Sequence, residues 1–343
     1  MPRKPKAAPA DAMPSSIAPQ LATLVSTPPT GSGWAFEIKF DGYRILAKCG
    51  GGRAQLFTRN ANDWTSKMQS LASEVAALPV DTAWLDGEIV VLDERGLPNF
   101  NALQNAFDGK RTEHIDYFVF DVLYLNGRDL RRLPFSARRP LLEELFAGHD
   151  AGHVRLSKVF EADGQSVFES ARKLGLEGII AKHRDAPYSS LRTKTWLKIK
   201  HQLRQEFVIG GFTTRTNGPR EIGSLLLGVY DHAGKLHSAG SVGTGWDSKT
   251  AAAILRELEK IEIPKPPFDP EHAPTKGRWS RRAAGGERWV KPTAVAEVSF
   301  AEWTPDGSIR HATFEGLRRD KPASAIRRES ALAGRKAPAL RGS

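Results

Sequence analysis

Cysteine is almost missing from this chain: Cys49 stands alone among 343 residues. An internal disulfide is thereby excluded, and no Cys/His cluster with zinc-ligand spacing occurs, which fits a reducing cytoplasm. The ordinary reading of Cys49 is a small buried hydrophobe. Long apolar runs are also lacking, so nothing in the sequence spans a membrane. The opening Met1-Pro2-Arg3-Lys4-Pro5-Lys6 is basic but leads into Ala, Pro and Asp, which excludes a secretory signal. Acid is in deficit, with 39 Asp and Glu against 50 Lys and Arg, a formal net charge of +11. Such a balance favours polyanionic partners through counterion release, although charge alone does not name one.

A hydrophobic content of 40% over this length predicts two domains with real cores. Residues 1–16 are rich in Pro, Ala and Lys, and residues 322–343 in Ala, Arg and Ser; both are expected to be flexible basic tails. Between them, strand-like runs at 34–40, 83–92, 117–124, 178–182 and 196–200 mix with helical stretches such as 165–174, predicting an α+β body over residues 17–203. Beyond it, runs at 207–213, 224–230, 236–242 and 294–303 are mostly β. One helix interrupts them, beginning after Asp247 or Ser248 and burying Ala251, Ile254, Leu255, Leu258 and Ile261 before Pro264. Strands of this kind with a single helix suit a small β-barrel of the OB-fold type over residues 204–321.

Chemistry concentrates in a few short strands. Phe36, Ile38 and Phe40 alternate with Glu37, Lys39 and Asp41, so one face is apolar and the other sets two acids around a lysine. Taken alone this is an ordinary amphipathic edge strand. The segment Trp84-Leu85-Asp86-Gly87-Glu88-Ile89 repeats the device, sending Asp86 and Glu88 to one face and Leu85 and Ile89 to the core. Glu88 is a candidate metal ligand. In Trp196-Leu197-Lys198-Ile199-Lys200 the two lysines share a face, an arrangement suited to a triphosphate. Glu177 and Lys182, in Glu177-Gly178-Ile179-Ile180-Ala181-Lys182, are five apart, so ideal alternation separates them unless a bulge intervenes. Along 118–122, Phe118, Phe120 and Val122 alternate, and one strand face there must be core.

In this order the segments resemble the covalent nucleotidyltransferase superfamily of ATP-dependent DNA ligases, RNA ligases and mRNA capping enzymes. Its lysine-x-Asp-Gly-x-Arg signature is met by Lys39-Phe40-Asp41-Gly42-Tyr43-Arg44, followed by Asp86-Gly87-Glu88, Phe118-Val119-Phe120-Asp121, the 177–182 segment and the 196–200 segment. The residues Leu21-Ala22-Thr23-Leu24 and Gly33-Trp34-Ala35-Phe36-Glu37-Ile38-Lys39 are similar to the ligase component of bacterial ligase D, which works in nonhomologous end joining. The run from Arg310 to Lys321 resembles that family's last motif, with Ala312, Glu315 and Arg319 departing from it while Arg318, Asp320 and Lys321 remain.

The resemblance implies an ATP-grasp-like adenylation domain followed by an OB-fold, and an ATP-dependent DNA ligase. Lys39 would attack the α-phosphate of ATP, and the AMP would pass to a 5′-phosphate before a 3′-hydroxyl displaces it. An amine nucleophile must first lose its proton, whose ordinary pKa is about 10.4. Lys198 and Lys200 are expected to assist Lys39 at the phosphates. Carried over as nucleotide contacts are Glu37, Arg44, Arg59, Phe120 as the ring stacked on adenine, Lys182, Arg318 and Lys321. Glu88 and Glu177 would hold Mg²⁺ or Mn²⁺, with Glu88 alternatively a ribose contact.

The expected substrate is nicked or broken double-stranded DNA, and the expected setting a bacterial cytoplasm, at the nucleoid. A Ku-like end-binding protein and separate polymerase or nuclease modules are the implied partners, and a monomer the implied state. Lys39 lies so near the start that the chain is expected to be a minimal core, stand-alone or excised. A guanylyltransferase, an RNA ligase and a non-catalytic DNA clamp are the competing readings; the clamp alone predicts no covalent nucleotide.

Overall fold

A computed structural model describes residues 11–148, 152–215, 221–274 and 286–329. These divide into two compact units that meet in sequence between Ile199 and Lys200. Among the described residues no helix is long and apolar enough to cross a membrane.

The first unit holds two sheets. One is built from β1 (Leu21–Leu24), β2 (Trp34–Ile38), β7 (Gly178–His183) and β8 (Arg192–Lys200), with the short Val159–Phe160 strand at its edge. Its order is β1-β8-β7-β2-edge, with β1 parallel to β8 and β7 antiparallel to β2. The other runs β4 (Arg53–Thr58), β3 (Tyr43–Gly50), β5 (Thr82–Val90), β6 (Asp116–Leu125), all antiparallel, with Arg128–Asp129 and Val154–Leu156 also paired to β6.

Alternation along β5 makes this second sheet two-faced. Leu85 and Ile89 enter a core shared with helices α1 (Gln69–Ala76), α2 (Phe100–Asp108) and α3 (Phe135–Phe146), whereas Trp84 points into a cluster with Phe120, Tyr188 and Trp196. That cluster draws on both sheets and lines the space between them. Helix α4 (Gly164–Lys173), capped by the Asp163 carboxylate accepting from the Ser166 N–H at 3.0 Å, covers the first sheet through Val167 and Ala171.

β6 departs from the simple alternation of Phe118, Phe120 and Val122. Its register with β5 slips between Asp86 and Gly87 and again between Trp84 and Leu85. Phe120 and Leu123 are the extra residues, and both enter the inter-sheet cluster, whereas Val122 falls to the helix-covered core. Bulges re-aim side chains in this way, which is why a period-two count fails here.

The second unit is an antiparallel OB-fold assembled on β9 (Leu203–Thr214), whose partner on one side is β10 (Ile222–Tyr230), followed by β11 (Leu236–Val242). On its other side β9 pairs first with β12 (Val295–Phe300) and then with Glu287–Val290. The register shift between Ile209 and Gly211 marks the change, and at Gly210 a Cβ would overlap the Phe268 ring. β13 (Thr313–Arg318) completes the sheet against β12. The predicted helix is α5 (Ser248–Glu259), capped by Asp247 through the Thr250 N–H at 2.7 Å and burying Ala251, Ile254, Leu255 and Leu258.

Both expected tails are shorter where they are described. Residues 1–10 and 330–343 lie outside the described residues. Residues 11–16 pack on the first unit: the Asp11 carbonyl accepts from the Tyr124 hydroxyl at 2.7 Å and the Pro14 carbonyl from the Trp84 indole at 3.0 Å. Residues 322–329 pack on the second unit, burying Ala323 and Ile326, with the Tyr230 N–H donating to the Ile326 carbonyl at 2.9 Å. Low-complexity composition hid these anchors because single aromatic and aliphatic contacts hold them, without any apolar period.

Candidate active site

Lys39 follows β2, and its N–H donates to the Gly178 carbonyl at 3.0 Å, which fixes the residue to the first residue of β7. Its amine pairs with the Glu177 carboxylate; the lysine side chain is 20% exposed and the glutamate 8%. Glu177 stands just before β7, outside the ladder, so strand alternation does not govern it. Lys182 needs no bulge: antiparallel pairing puts Ile180 opposite Glu37 and Lys182 opposite Ala35, on the face that carries Glu37. The doubt over two residues five apart therefore disappears, because only Lys182 belongs to the strand.

The Lys182 amine donates to Glu37 Oε1 at 2.7 Å and to the Phe120 carbonyl at 3.0 Å, with both side chains of the ion pair 1–2% exposed. Glu37 also accepts from the Ser157 hydroxyl at 3.1 Å. Burial pushes the Lys182 amine below the ordinary lysine value, although Glu37 and Asp121 pull the other way. The same amine lies 4.5 Å from the Phe120 ring and 4.5 Å from the Trp196 ring.

Arg44 reaches Phe120 from β3, its guanidinium carbon 4.7 Å from the ring. Its Nε and Nη2 bind the Asp86 carboxylate at 2.5 and 2.6 Å, a bidentate pair. Burial opposes the charge, but Asp86 outweighs it and keeps the guanidinium pKa above its ordinary value. Asp86 is wholly buried and also accepts from the Tyr188 hydroxyl at 2.6 Å. Glu88, two residues on, sits opposite Arg44 in the β3–β5 register and is half-buried. Arg59 follows β4 in a turn closed by the Ala61 N–H on the Thr58 carbonyl at 2.9 Å.

Sterics account for the motif glycines. A Cβ on Gly42 would overlap the Ile89 carbonyl, and one on Gly87 would overlap the Phe118 carbonyl and the Tyr117 ring. The segment from Lys39 to Arg44 and the strand bearing Glu88 thus approach their neighbours at separations that only glycine permits. Next to Lys39 in sequence, Phe40 stacks on Phe118 with ring centroids 4.4 Å apart. Beneath Phe120, Arg138 makes a fully buried bidentate pair with Asp121, both bonds 2.8 Å.

Among the sequence candidates, the first unit thus gathers Lys39 with Glu177, Glu37 with Lys182, and Arg44 with Phe120. Lys198 belongs to the same unit, paired in register with Leu24. Lys200 is the last residue of β8, at the boundary of the units, and Arg318 and Lys321 belong to the second unit. Lys200 donates to the Arg204 carbonyl at 2.5 Å and lies 3.8 Å from Glu329. Arg318 forms a bidentate pair with Asp320, both bonds 2.8 Å, and reaches Glu297 at 3.2 Å. Lys321 pairs with Glu206, whose carboxyl is kept well below its ordinary value: burial opposes ionisation, but Lys321 and Arg318 prevail. Lys198 and Lys200 alternate with buried Leu197 and Ile199 along β8, as expected. The sequence reading passed over Gln20, Tyr188, Ser157, Arg138 and the structural role of Asp86. Only Asp86 carried a signal, its place in the Asp86-Gly87-Glu88 segment.

Both units resemble parts of known proteins. Residues 16–200 match the ATP dependent DNA ligase domain, and residues 218–321 the ATP dependent DNA ligase C terminal region. The multifunctional non-homologous end joining protein LigD of Pseudomonas aeruginosa is 45% identical over 316 residues, covering 92% of this chain; the chain spans only 37% of that relative. DNA ligase C2 of Mycolicibacterium smegmatis is 30% identical over 341 residues, with 88% of this chain and 94% of that protein covered. A solved mycobacterial DNA ligase D complexed with ATP and MES superposes with a TM-score of 0.67 at 38% identity, covering 91% of this chain and 98% of that one. The two matched regions together take in most of the described residues, and on that ground the chain belongs to the ATP-dependent DNA ligase family.

Proposed function

We propose that Lys39 is the residue that becomes adenylated and that the chain seals DNA breaks in end joining. The observation that carries this reading is the Lys39 amine held on Glu177, beside a wall made by Arg44, Phe120 and the Glu37–Lys182 pair. Glu177 orients the amine. After the Lys39 amine gives up its proton to solvent, its lone pair attacks the α-phosphorus of ATP, a P–N bond forms, and the bond to pyrophosphate breaks. AMP then passes to the 5′-phosphate at the break, and a 3′-hydroxyl displaces it to close the phosphodiester. Transfer of this kind depends on in-line positioning and charge neutralisation, the role assigned to Lys198, Lys200, Arg318 and Lys321. Adenine is assigned to Phe120, whose ring Arg44 and Lys182 hold in place, and the ribose or phosphates to Arg44 and Arg59.

A divalent cation is assigned to Glu88 and Glu177. Among the described residues, the one group of three His, Cys, Asp or Glu residues with converging ligand atoms is Asp269, Glu271 and His272, which includes neither. Carboxylate oxygens suit Mg²⁺ or Mn²⁺, which fill the rest of their coordination with phosphate and water. Bound there, the cation would neutralise triphosphate charge.

The test incubates the protein with Mg²⁺ and α-labelled ATP, then adds nicked DNA. Wild type forms a labelled adduct and seals the nick, and Lys39→Ala does neither; an adduct that survives Lys39→Ala overturns the assignment. End joining with a Ku-like protein is tested on linear duplexes. Rates unchanged by that protein remove it as a partner.

A further inference from the structure

The Arg44 guanidinium belongs to a closed ring of hydrogen bonds that no sequence motif marked. Arg44 Nη2 donates to Asp86 Oδ2 at 2.6 Å; Asp86 Oδ2 also accepts from the Tyr188 hydroxyl at 2.6 Å. The Tyr188 oxygen accepts from the Gln20 N–H at 2.9 Å, and the Gln20 carbonyl accepts from Arg44 Nη2 at 3.2 Å, closing the circuit. Gln20 is itself clamped: its amide nitrogen donates to Thr193 Oγ1 at 3.0 Å and Thr195 Oγ1 at 3.1 Å, and its amide oxygen accepts from the Ser189 N–H at 2.8 Å.

Each member of the ring has a fixed role. Tyr188 is buried, and burial beside Asp86 pushes its hydroxyl well above the ordinary value, so it stays a donor to the carboxylate. A guanidinium has five N–H donors in one plane. Nε and both Nη2 donors are spent on Asp86 and Gln20, and among the described residues Nη1 makes no hydrogen bond while the side chain stays 18% exposed. The frame thus fixes the plane of the fork over Phe120 and leaves one nitrogen for a ligand oxygen.

We propose that Tyr188 and Gln20 are positioning residues for nucleotide binding, acting through Asp86 to aim Arg44 Nη1 at a ribose or phosphate oxygen of ATP. This rests on the assignment of ATP to the Lys39 site. Neither residue touches the nucleotide. Loss of the Tyr188 hydroxyl leaves Asp86 one donor short and the fork free to tilt, while the aromatic packing against Trp196, 5.7 Å between centroids, survives in phenylalanine.

The experiment measures lysyl-AMP formation against ATP concentration for the full chain and for Tyr188→Phe, each alone and with Arg44→Ala, together with thermal melting. A hydrogen bond to a charged group of this kind corresponds to roughly a tenfold effect. Tyr188→Phe is expected to raise KM for ATP about tenfold with kcat within about twofold, and to change KM less than about twofold once Arg44 is alanine. Gln20→Met, which removes the amide clamps at similar length, shifts KM the same way and provides the reading should Tyr188→Phe melt early. An unchanged KM in a folded variant overturns the proposal, and so does an equal rise with or without Arg44. Failure of wild type itself to form an adduct at Lys39 would instead overturn the functional assignment.

Discussion

Removing Lys182 should do far more damage than removing Lys182 and the charge of Glu37 together. The two side chains are 1% and 2% exposed, so solvent does not screen them. In Lys182→Met the Glu37 carboxylate keeps, among the described residues, only the Ser157 hydroxyl at 3.1 Å. A buried charge stripped of its partner costs about 3–5 kcal/mol, whereas replacing both charged groups with neutral ones of similar shape is often close to neutral. For a unit of this size, 1 kcal/mol moves Tm by about 2–4 °C, so the single variant should melt roughly 10 °C lower. Glu37→Gln/Lys182→Met should recover at least half of that loss, because the amide still accepts from Ser157. Calorimetry reads both shifts, and labelled ATP shows whether the stabilised double variant still adenylates. It should not, since the Phe120 wall has lost its cation. A single variant that melts within about 2 °C of wild type, or a double variant no better than the single, refutes the idea that an uncompensated buried charge governs this site.

Further outcomes follow from the same physics. Arg138→Met strands the buried Asp121 carboxylate and should cost about 3–5 kcal/mol, measured by urea unfolding. Gly42→Ala should abolish adenylation and lower stability by about 2 kcal/mol or more, because its Cβ meets a backbone carbonyl that cannot retreat without breaking the β3–β5 ladder. Glu206 has a folded-state pKa held below its ordinary 4.5, so its contribution is complete above that value and is lost as pH falls through the depressed one. Acid unfolding of wild type below about pH 4.5 should therefore be steeper than that of Glu206→Gln, measured by circular dichroism. Burial pushes the Cys49 thiol up to about 12, so a thiol reagent at pH 8 should leave the folded protein unlabelled and react only after denaturation.

Much of this was legible in the sequence. Alternation set Glu88 apart from Leu85 and Ile89, and Glu37 apart from Phe36 and Ile38, because β periodicity is local; Lys39 itself stands one residue past the strand. The capped helix after Asp247 was equally readable, since its cap and its apolar stripe lie within a dozen residues. The resemblance across ordered motifs named the family. Tertiary structure decided the rest. Two bulges in β6 sent Phe120 and Val122 to opposite cores, and a bulge depends on how two strands pair, which neither strand states alone. Glu177 reached Lys39 by standing outside the β7 ladder, a matter of where the strand begins. The frame around Arg44 joins Gln20, Asp86 and Tyr188, residues up to 168 positions apart, with no spacing rule to link them. The sequence by itself determined which chemistry is present and which short segments carry it, because those are properties of neighbours along the chain. Only the fold decided which charges are neutralised within their own unit and which amine is left against a carboxylate in a partly open site, because burial and pairing are properties of neighbours in space.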